Sequence, residues 1–457
     1  MSNITAAIEY AQEHKEDSLE HLISLLRIPS VSTLPEHDDD MEKAAQWIAE
    51  KLNDFGFEDV DILPTARHPV VYGTWLKAGP DAPTILVYSH YDVQPVDPID
   101  EWSSDPFEPT IRDDSLFARG ASDMKAQIVA HLIAMEAMFH TVDLPVNIKY
   151  MVEGEEEIGS PSLEAFLREN GQLFTCDYCL NLDAGILAPD LPSLTYALRG
   201  LGYFEIQLQG PGSDLHSGTF GGVVDNPANV MCDLIAGMKD KHGKVTLPGF
   251  YDSVRPLDDK ERDALAKLPQ PDSWWKEQTG AKVLNGEEGY TNIERATARP
   301  TLDVNGIYSG FIGEGSKTVL PARAMAKISM RLVPDQSPVD VRRSLETYLD
   351  ENTPSTVTWE LDEHSSCFPG MIDLESEAVQ AAASALEDVW GKPPIYKREG
   401  GSVPVVGLIK DLLNVDSLLL GFGLPDDNLH APNEKMHLPN FYRGIETYIR
   451  FMDKVAR

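Results

Sequence analysis

TILVYSHYD, residues 84–92, is the stretch on which the fold turns. The apolar and β-branched run from Thr84 to Ser89 reads as a buried strand, and it delivers His90 and Asp92 to its carboxyl end. Ligand sites in open α/β sheets gather at the carboxyl ends of strands. In an H-x-D arrangement on an extended segment the two side chains share a face. Asp92 can therefore hydrogen-bond the imidazole nitrogen that faces away from a metal and fix its tautomer. A single histidine at a strand end is more often structural than functional, so the surrounding stretches carry the argument.

Outward from this strand, VVYGTWL at 70–76 and NIKYMV at 147–152 read as further strands, and Lys125 to Phe139 as a helix. Upstream, Leu19, Leu22, Ile23 and Leu26 recur at helical spacing before Pro29. Met41, Ala44, Ala45, Ile48, Leu52 and Phe55 do so before Gly56, which predicts two opening helices. Alternating strands and helices predict an α/β fold with a helix-layered mixed sheet. The pattern changes after Arg199. A strand YFEIQLQ, a helix around Asn226 to Met238, a polar insertion at 252–295, a strand AMAKISMRLV and a helix VDVRRSLETYL predict a smaller α+β unit. The α/β character returns with a helix from Glu375 to Trp390, the strand SLLLGFG at 417–423 and a final helix from Phe441 to Val455. The expected organisation is one domain built from residues 1–198 and 376–457, with a second inserted at 199–375.

A chain of 457 residues exceeds what one hydrophobic core usually serves. Its 42% hydrophobic and 25% charged residues are those of ordinary globular proteins. A net charge of −36 repels phosphate backbones and anionic lipid, so neither nucleic acid nor membrane is an expected partner. Four cysteines are too few for a disulfide framework, and Cys176 and Cys179 lack a second pair at zinc-ribbon spacing; they read as packing residues. The first residues carry neither a basic start nor a continuous apolar run, and no apolar run reaches membrane-spanning length. The expected location is the cytoplasm.

Four more stretches join His90. In ARGASDMKAQ (118–127), Asp123 lies between a glycine-containing turn and a helix; alone it reads as a helix N-cap, yet a carboxylate can also bridge two cations. VEGEEEIGS (152–160) places four glutamates directly after a strand. Such a run is usually a solvated loop, but adjacent carboxylates with divergent side chains can serve as ligand and base, and Glu156 and Glu157 are the chosen pair. Asp183 follows the strand YCLNL, and His430 follows SLLLGFG through a short loop. Five oxygen and nitrogen ligand candidates from strand ends or the loops after them, without thiolate, suit two ions of zinc, manganese or cobalt sharing one carboxylate. Two such ions can hold a hydroxide and polarise a carbonyl, which implies amide hydrolysis.

In order, SHYDV, ARGASDMKAQ, EEEIGS, NLDAG and HAPNE resemble the aminoacylase, carboxypeptidase and dipeptidase family of two-metal peptidases. DLHSGTFGG, KTVLPARAMAKISMRLVP and REGGSVPVV are most similar to its cytosolic non-specific dipeptidases and carnosine dipeptidases. The resemblance implies His90 and Asp183 on one ion, Glu157 and His430 on the other, and Asp123 as the bridge. It implies Glu156 as general base and Asp92 as histidine orienter. The register of the glutamate run stays open between Glu155–Glu156 and Glu156–Glu157, the trailing Gly159-Ser160 favouring the second. The inserted domain becomes a lid and dimerisation domain of a homodimer, with His216 reaching the partner's site as an oxyanion donor. Arg331, Thr318, Gly401 and Ser402 become contacts to the carboxylate of a small peptide substrate, a role that suits the planar fork of arginine. The expected reaction is hydrolysis of dipeptides with a free C-terminal carboxylate, with zinc as the first choice of metal. Deacylation of N-acyl amino acids is the alternative, and a degenerate non-catalytic metal-binding protein a remote one.

Overall fold

The computed structural model describes residues 4–456. Chain contacts divide them into two compact units: one of residues 1–196, 372–397 and 408–457, the other of 197–371 and 398–407.

The first unit is built on a mixed sheet whose centre is parallel. Strands Asn147–Glu153, Thr84–His90, Tyr178–Asn181 and Ser417–Leu419 lie side by side in that order, all pointing the same way. Val70–Trp75 and then Glu58–Leu63 extend the Asn147–Glu153 side with antiparallel pairing. Strands buried on both faces read as continuous apolar runs. Thr84–His90 and Asn147–Glu153 fit that rule, being buried at nearly every position. The helix Ala126–Thr141 is apolar almost all round because it is buried all round, packed against the helices Ile4–Glu13 and Leu438–Lys454. Met41, Ala44, Ala45, Ile48 and Leu52 form the buried stripe of the helix Asp38–Phe55, which Gly56 closes in the left-handed conformation.

Two local readings change. The expected pair of opening helices is three, because Ile4–Glu13 precedes Lys15–Leu26 and Asp38–Phe55. The expected strand 417–423 stops at Leu419. Beyond it the backbone runs so close to its neighbour that a Cβ on Gly421 would meet the Ala184 carbonyl oxygen at 2.3 Å. Only glycine fits there, and the regular ladder gives way to a single bridge between Gly185 and Gly423.

The second unit is a four-stranded antiparallel sheet in the order Thr301–Ser309, Arg323–Leu332, Gly200–Gln209, Thr358–Cys367. Burial alternates along Arg323–Leu332, so Ala326, Ile328 and Met330 join Phe204, Ile206 and Leu208 on one face. Met231 and Leu234 of the helix Pro227–Gly237 and Leu345 and Leu349 of Pro338–Asn352 complete that core. Arg331 lies on the opposite face. The insertion at 252–295 contains the short helices Asp259–Leu265 and Asp272–Thr279 and runs into a third, Asn292–Thr297. Arg398–Gly407, expected in the closing part of the first domain, groups with this unit. Arg398 pairs with Glu261, Gly400 O accepts from Arg199 Nε, and Ser402 Oγ accepts from Arg331 Nη1. Together the units make an α/β fold, a helix-layered mixed sheet accompanied by a smaller α+β unit. No described helix is long and apolar enough to cross a membrane.

Candidate metal centre

At the carboxyl ends of the parallel strands the chain gathers two triads of possible ligands. His90, Asp123 and Asp183 form one and Asp123, Glu157 and His430 the other; within each, ligand atoms lie within 4.8 Å of one another. Among the described residues these are the groups found, and no cysteine belongs to either.

Asp123 stands between the two. Its Oδ1 is 3.2 Å from His90 Nε2 and its Oδ2 is 3.0 Å from His430 Nε2. His430 Nε2 also lies 3.2 Å from Glu157 Oε2. The other nitrogen of His90, Nδ1, faces Asp92, at 3.1 Å from its carbonyl oxygen and 3.3 Å from Oδ1. Asp92 does more than orient that ring. Its carboxylate accepts from Ser32 Oγ at 2.7 Å, from Glu156 N at 3.2 Å and from Glu157 N at 3.0 Å, so one buried carboxylate also holds the backbone that presents the glutamate pair.

The three consecutive glutamates have different surroundings. Glu155 is buried and fully engaged, accepting from Thr65 Oγ1, His68 N and Ser162 N at 2.8 to 3.0 Å. Glu157 accepts from Gln94 Nε2 at 2.8 Å and faces His430. Glu156 lies within electrostatic reach of His90, Asp183, Glu157 and Asp123.

Burial and, after it, charge crowding set the electrostatics. Burial, reinforced by Asp183, Glu157 and Asp123, pushes the Glu156 carboxyl well above the usual carboxylate range against the pull of His90. Asp183 is raised to about 7, first by burial and then by Asp123. His430 is raised to about 10 by hydrogen bonds to Asp123 and then Glu157. For His90 burial alone lowers the pKa, but its bonds to Asp123 and Asp92 outweigh that and hold it well above the imidazole range. Asp123 is likewise buried yet held low by the two histidines. Four carboxylates face two imidazoles in a buried pocket, an excess of negative charge that divalent cations would neutralise. The donor set is oxygen and nitrogen, and the two oxygens of one carboxylate are shared between the two triads. These residues fit a pair of divalent ions.

Glu434 escaped sequence reasoning although it was quoted within HAPNE. Its Oε1 accepts from Ser122 N at 2.9 Å and Asp123 N at 3.0 Å, and its Oε2 from Gly120 N at 3.0 Å and Arg119 Nη1 at 2.8 Å. A buried ion pair compensates its desolvation only when its hydrogen-bonding capacity is filled, and here four donors converge on one carboxylate. Its spacing of four residues from His430 was the available signal. Ser32 and Gln94 were also missed, and nothing in their local sequence marks them.

The remaining expected residues lie in the second unit. His216 ends the short strand Leu215–His216, opposite Val319, and its Nδ1 accepts from Gly218 N at 3.0 Å. Thr318 is on the same ribbon, its carbonyl oxygen accepting from Ser217 N. Both are exposed. Arg331 Nη1 donates to Ser402 Oγ at 2.8 Å, and Gly401 adjoins that contact.

Comparison with known proteins agrees with the motif order. Over 97% of this chain and 96% of the other, the sequence is 32% identical to the Cys-Gly metallodipeptidase DUG1 of Candida albicans. It is 28% identical to the human Beta-Ala-His dipeptidase over 98% of this chain and 92% of that one. Among solved structures, an M20 family metallo-carboxypeptidase, Sso-CP2 of Sulfolobus solfataricus, superposes with a TM-score of 0.83 at 33% identity, covering 96% of this chain and 99% of that one. The di-peptidase Dug1p of Saccharomyces cerevisiae does so with a TM-score of 0.77 at 28% identity, covering 99% and 98%. A single family model spans residues 86–454, from the strand that ends in His90 to the closing helix, and by it the chain belongs to the peptidase family M20/M25/M40.

Proposed function

We propose that the protein hydrolyses dipeptides at the peptide bond next to a free C-terminal carboxylate, using two divalent cations. The observation that carries this reading is the division of the Asp123 oxygens between two triads, Oδ1 toward His90 and Oδ2 toward His430. His90 and Asp183 would hold one ion, Glu157 and His430 the other, with Asp123 bridging. When bound, such ions polarise the scissile carbonyl and lower the pKa of water. Glu156 takes a proton from the attacking water and passes it to the leaving amine; it stands beside Asp123, Glu157 and Asp183 and belongs to neither triad, so it is free for that exchange. Asp92 fixes the His90 ring and the Glu156–Glu157 backbone together, so a ligand and the base share one support.

The second unit serves as lid and dimerisation domain. In a homodimer His216 reaches the partner's site and stabilises the oxyanion, while Arg331, Thr318, Gly401 and Ser402 hold the substrate carboxylate. Ser402 Oγ on Arg331 Nη1 pre-orients the guanidinium for that task. Imidazole and carboxylate ligands favour zinc, with manganese and cobalt as competitors, in a cytoplasmic enzyme. The names of the relatives, Cys-Gly metallodipeptidase and Beta-Ala-His dipeptidase, support the substrate class.

The test is product release, read by mass spectrometry, from dipeptides, C-amidated dipeptides and N-acetylated amino acids. The enzyme is stripped with chelator and reloaded with zinc or manganese. Cleavage of free dipeptides but not amidated ones is expected. Cleavage confined to acetylated amino acids would overturn the substrate assignment.

A further inference from the structure

The insertion at 252–295, which has no role in the chemistry above, walls a cavity of about 720 Å³ that lies wholly within the second unit. Trp275, Leu284 and Asn285 line one side, and the sheet positions Asp303, Ser329 and Arg331 line another. Five cationic side chains reach it: Arg199, Lys239, Arg295, Arg299 and Arg331. In a chain with a net charge of −36, that concentration of positive charge is not a generic surface.

Two carboxylates also line the cavity, and both are engaged. Glu287 forms a two-pronged pair with Arg299, at 2.8 and 2.7 Å, and Asp303 lies 3.6 Å from Lys239. Arg199, Arg295 and Arg331 have no carboxylate within ion-pair distance among the described residues. Neutral groups orient them instead. Arg199 Nε donates to Gly400 O at 3.0 Å. Arg295 donates to Glu287 O and Asn292 Oδ1, both at 2.9 Å. Arg331 donates to Ser402 Oγ. Such bonds fix each planar fork without a carboxylate in direct contact, and an oriented guanidinium with a free edge is the group proteins use for two-pronged carboxylate recognition. Burial and then the charge of Arg331 lower the Arg199 pKa to about 10 against the pull of Asp303 and Glu399, so an anion arriving between Arg199 and Arg331 relieves a repulsion that these carboxylates offset only in part.

A substrate's α-carboxylate has two oxygens and can occupy one or two of these forks, leaving the third unmatched. We propose that the cavity takes a second carboxylate, so that the preferred substrates are dipeptides whose C-terminal residue is aspartate or glutamate. This rests on the dipeptidase reading. Trp275 and Leu284 would cover the methylene stem of that residue, and the guanidinium of Arg295, carried by the helix Asn292–Thr297, would meet its terminal oxygens.

Ala-Gln differs from Ala-Glu by an amide for a carboxylate at nearly constant shape. The experiment compares kcat/KM for Ala-Glu, Ala-Gln and Ala-Leu in the zinc-loaded enzyme and in Arg295→Gln. Arg295 is chosen because Arg199 joins the 398–407 segment to the rest of its unit and its loss risks misfolding. The expected result is a preference of about tenfold or more for Ala-Glu over Ala-Gln that collapses toward unity in the variant. Calorimetric binding of the same two dipeptides to zinc-loaded Glu156→Gln should reproduce the preference without turnover. Equal hydrolysis of Ala-Glu and Ala-Gln, alongside good hydrolysis of Ala-Leu, would overturn the acidic-residue inference and leave the dipeptidase reading standing. Failure to cleave any of the three would overturn both.

Discussion

The two triads that share Asp123 are built differently. His90 is 0% exposed, sits at the end of a regular strand and is held on its far side by Asp92, which is itself buried. His430 has 55% of its side chain exposed, lies in a loop and adopts a positive φ of 60°. Glu157, its neighbour, has a buried carboxylate that accepts from Gln94 Nε2 at 2.8 Å and otherwise faces the exposed His430. The inner triad is thus part of the core, and the outer one is a rim attached to it through one carboxylate. A cation on the inner triad would be enclosed by the core, and one on the outer triad would face solvent beside His430.

The strongest way to break the contrast is to remove what the triads share. Asp123→Asn takes the anionic bridge from both, so the prediction is loss of both cations and of all measurable turnover, read by elemental analysis and the dipeptide assay. Retention of one cation would mean that Asp123 belongs to a single site. Glu156→Gln removes a group belonging to neither triad: both ions stay and kcat falls about 10²–10⁴-fold. Loss of metal in this variant would move Glu156 into the ligand set. Substitution of the two histidines sharpens the comparison in the metal-free protein. His90→Ala takes one partner from each of two buried carboxylates, Asp92 and Asp123, opens a gap in the core, and should destabilise the fold by about 1–3 kcal/mol. His430→Ala also takes a partner from Asp123 and Glu157, but at a position open to water that can replace it, and should destabilise the fold by clearly less than His90→Ala does. Equal effects in urea unfolding would erase the distinction between core and rim. On cation affinity Glu434→Gln should have a smaller effect than Asp123→Asn: it loosens the turn that carries Asp123 without touching a cation, and should weaken affinity about 10–100-fold in chelator competition.

The same contrast explains what could be read from the sequence. Strand ends announce themselves, because an apolar run followed by His, Asp or Glu is a local pattern. TILVYS before His90, NIKYMV before the glutamates and YCLNL before Asp183 were legible for that reason. Glu434 was not, because its function is a contact with a backbone 311 residues away in the chain. The strands Thr301–Ser309 and Thr358–Cys367 were missed for a different reason. They are the two edges of the smaller sheet, largely exposed and rich in polar residues, so the alternation of apolar and polar side chains along them is short, Leu302 and Val304 in one and Trp359 and Leu361 in the other. Ile4–Glu13 was passed over because only Ala7 and Ala11 are buried along it, too little apolar stripe to register as periodicity. In the insertion, Trp274 and Trp275 gave no reading because the wall Trp275 forms exists only when the sheet opposite it is in place.

The central claim is that one carboxylate joins two cation sites in this chain. X-ray absorption on protein loaded with two equivalents of zinc tests it directly. The account predicts a metal–metal scattering path at about 3.5–4 Å that disappears in His430→Ala, where the inner ion alone remains. Absence of that path in the wild-type protein at every loading, with a single zinc bound per chain, would contradict it.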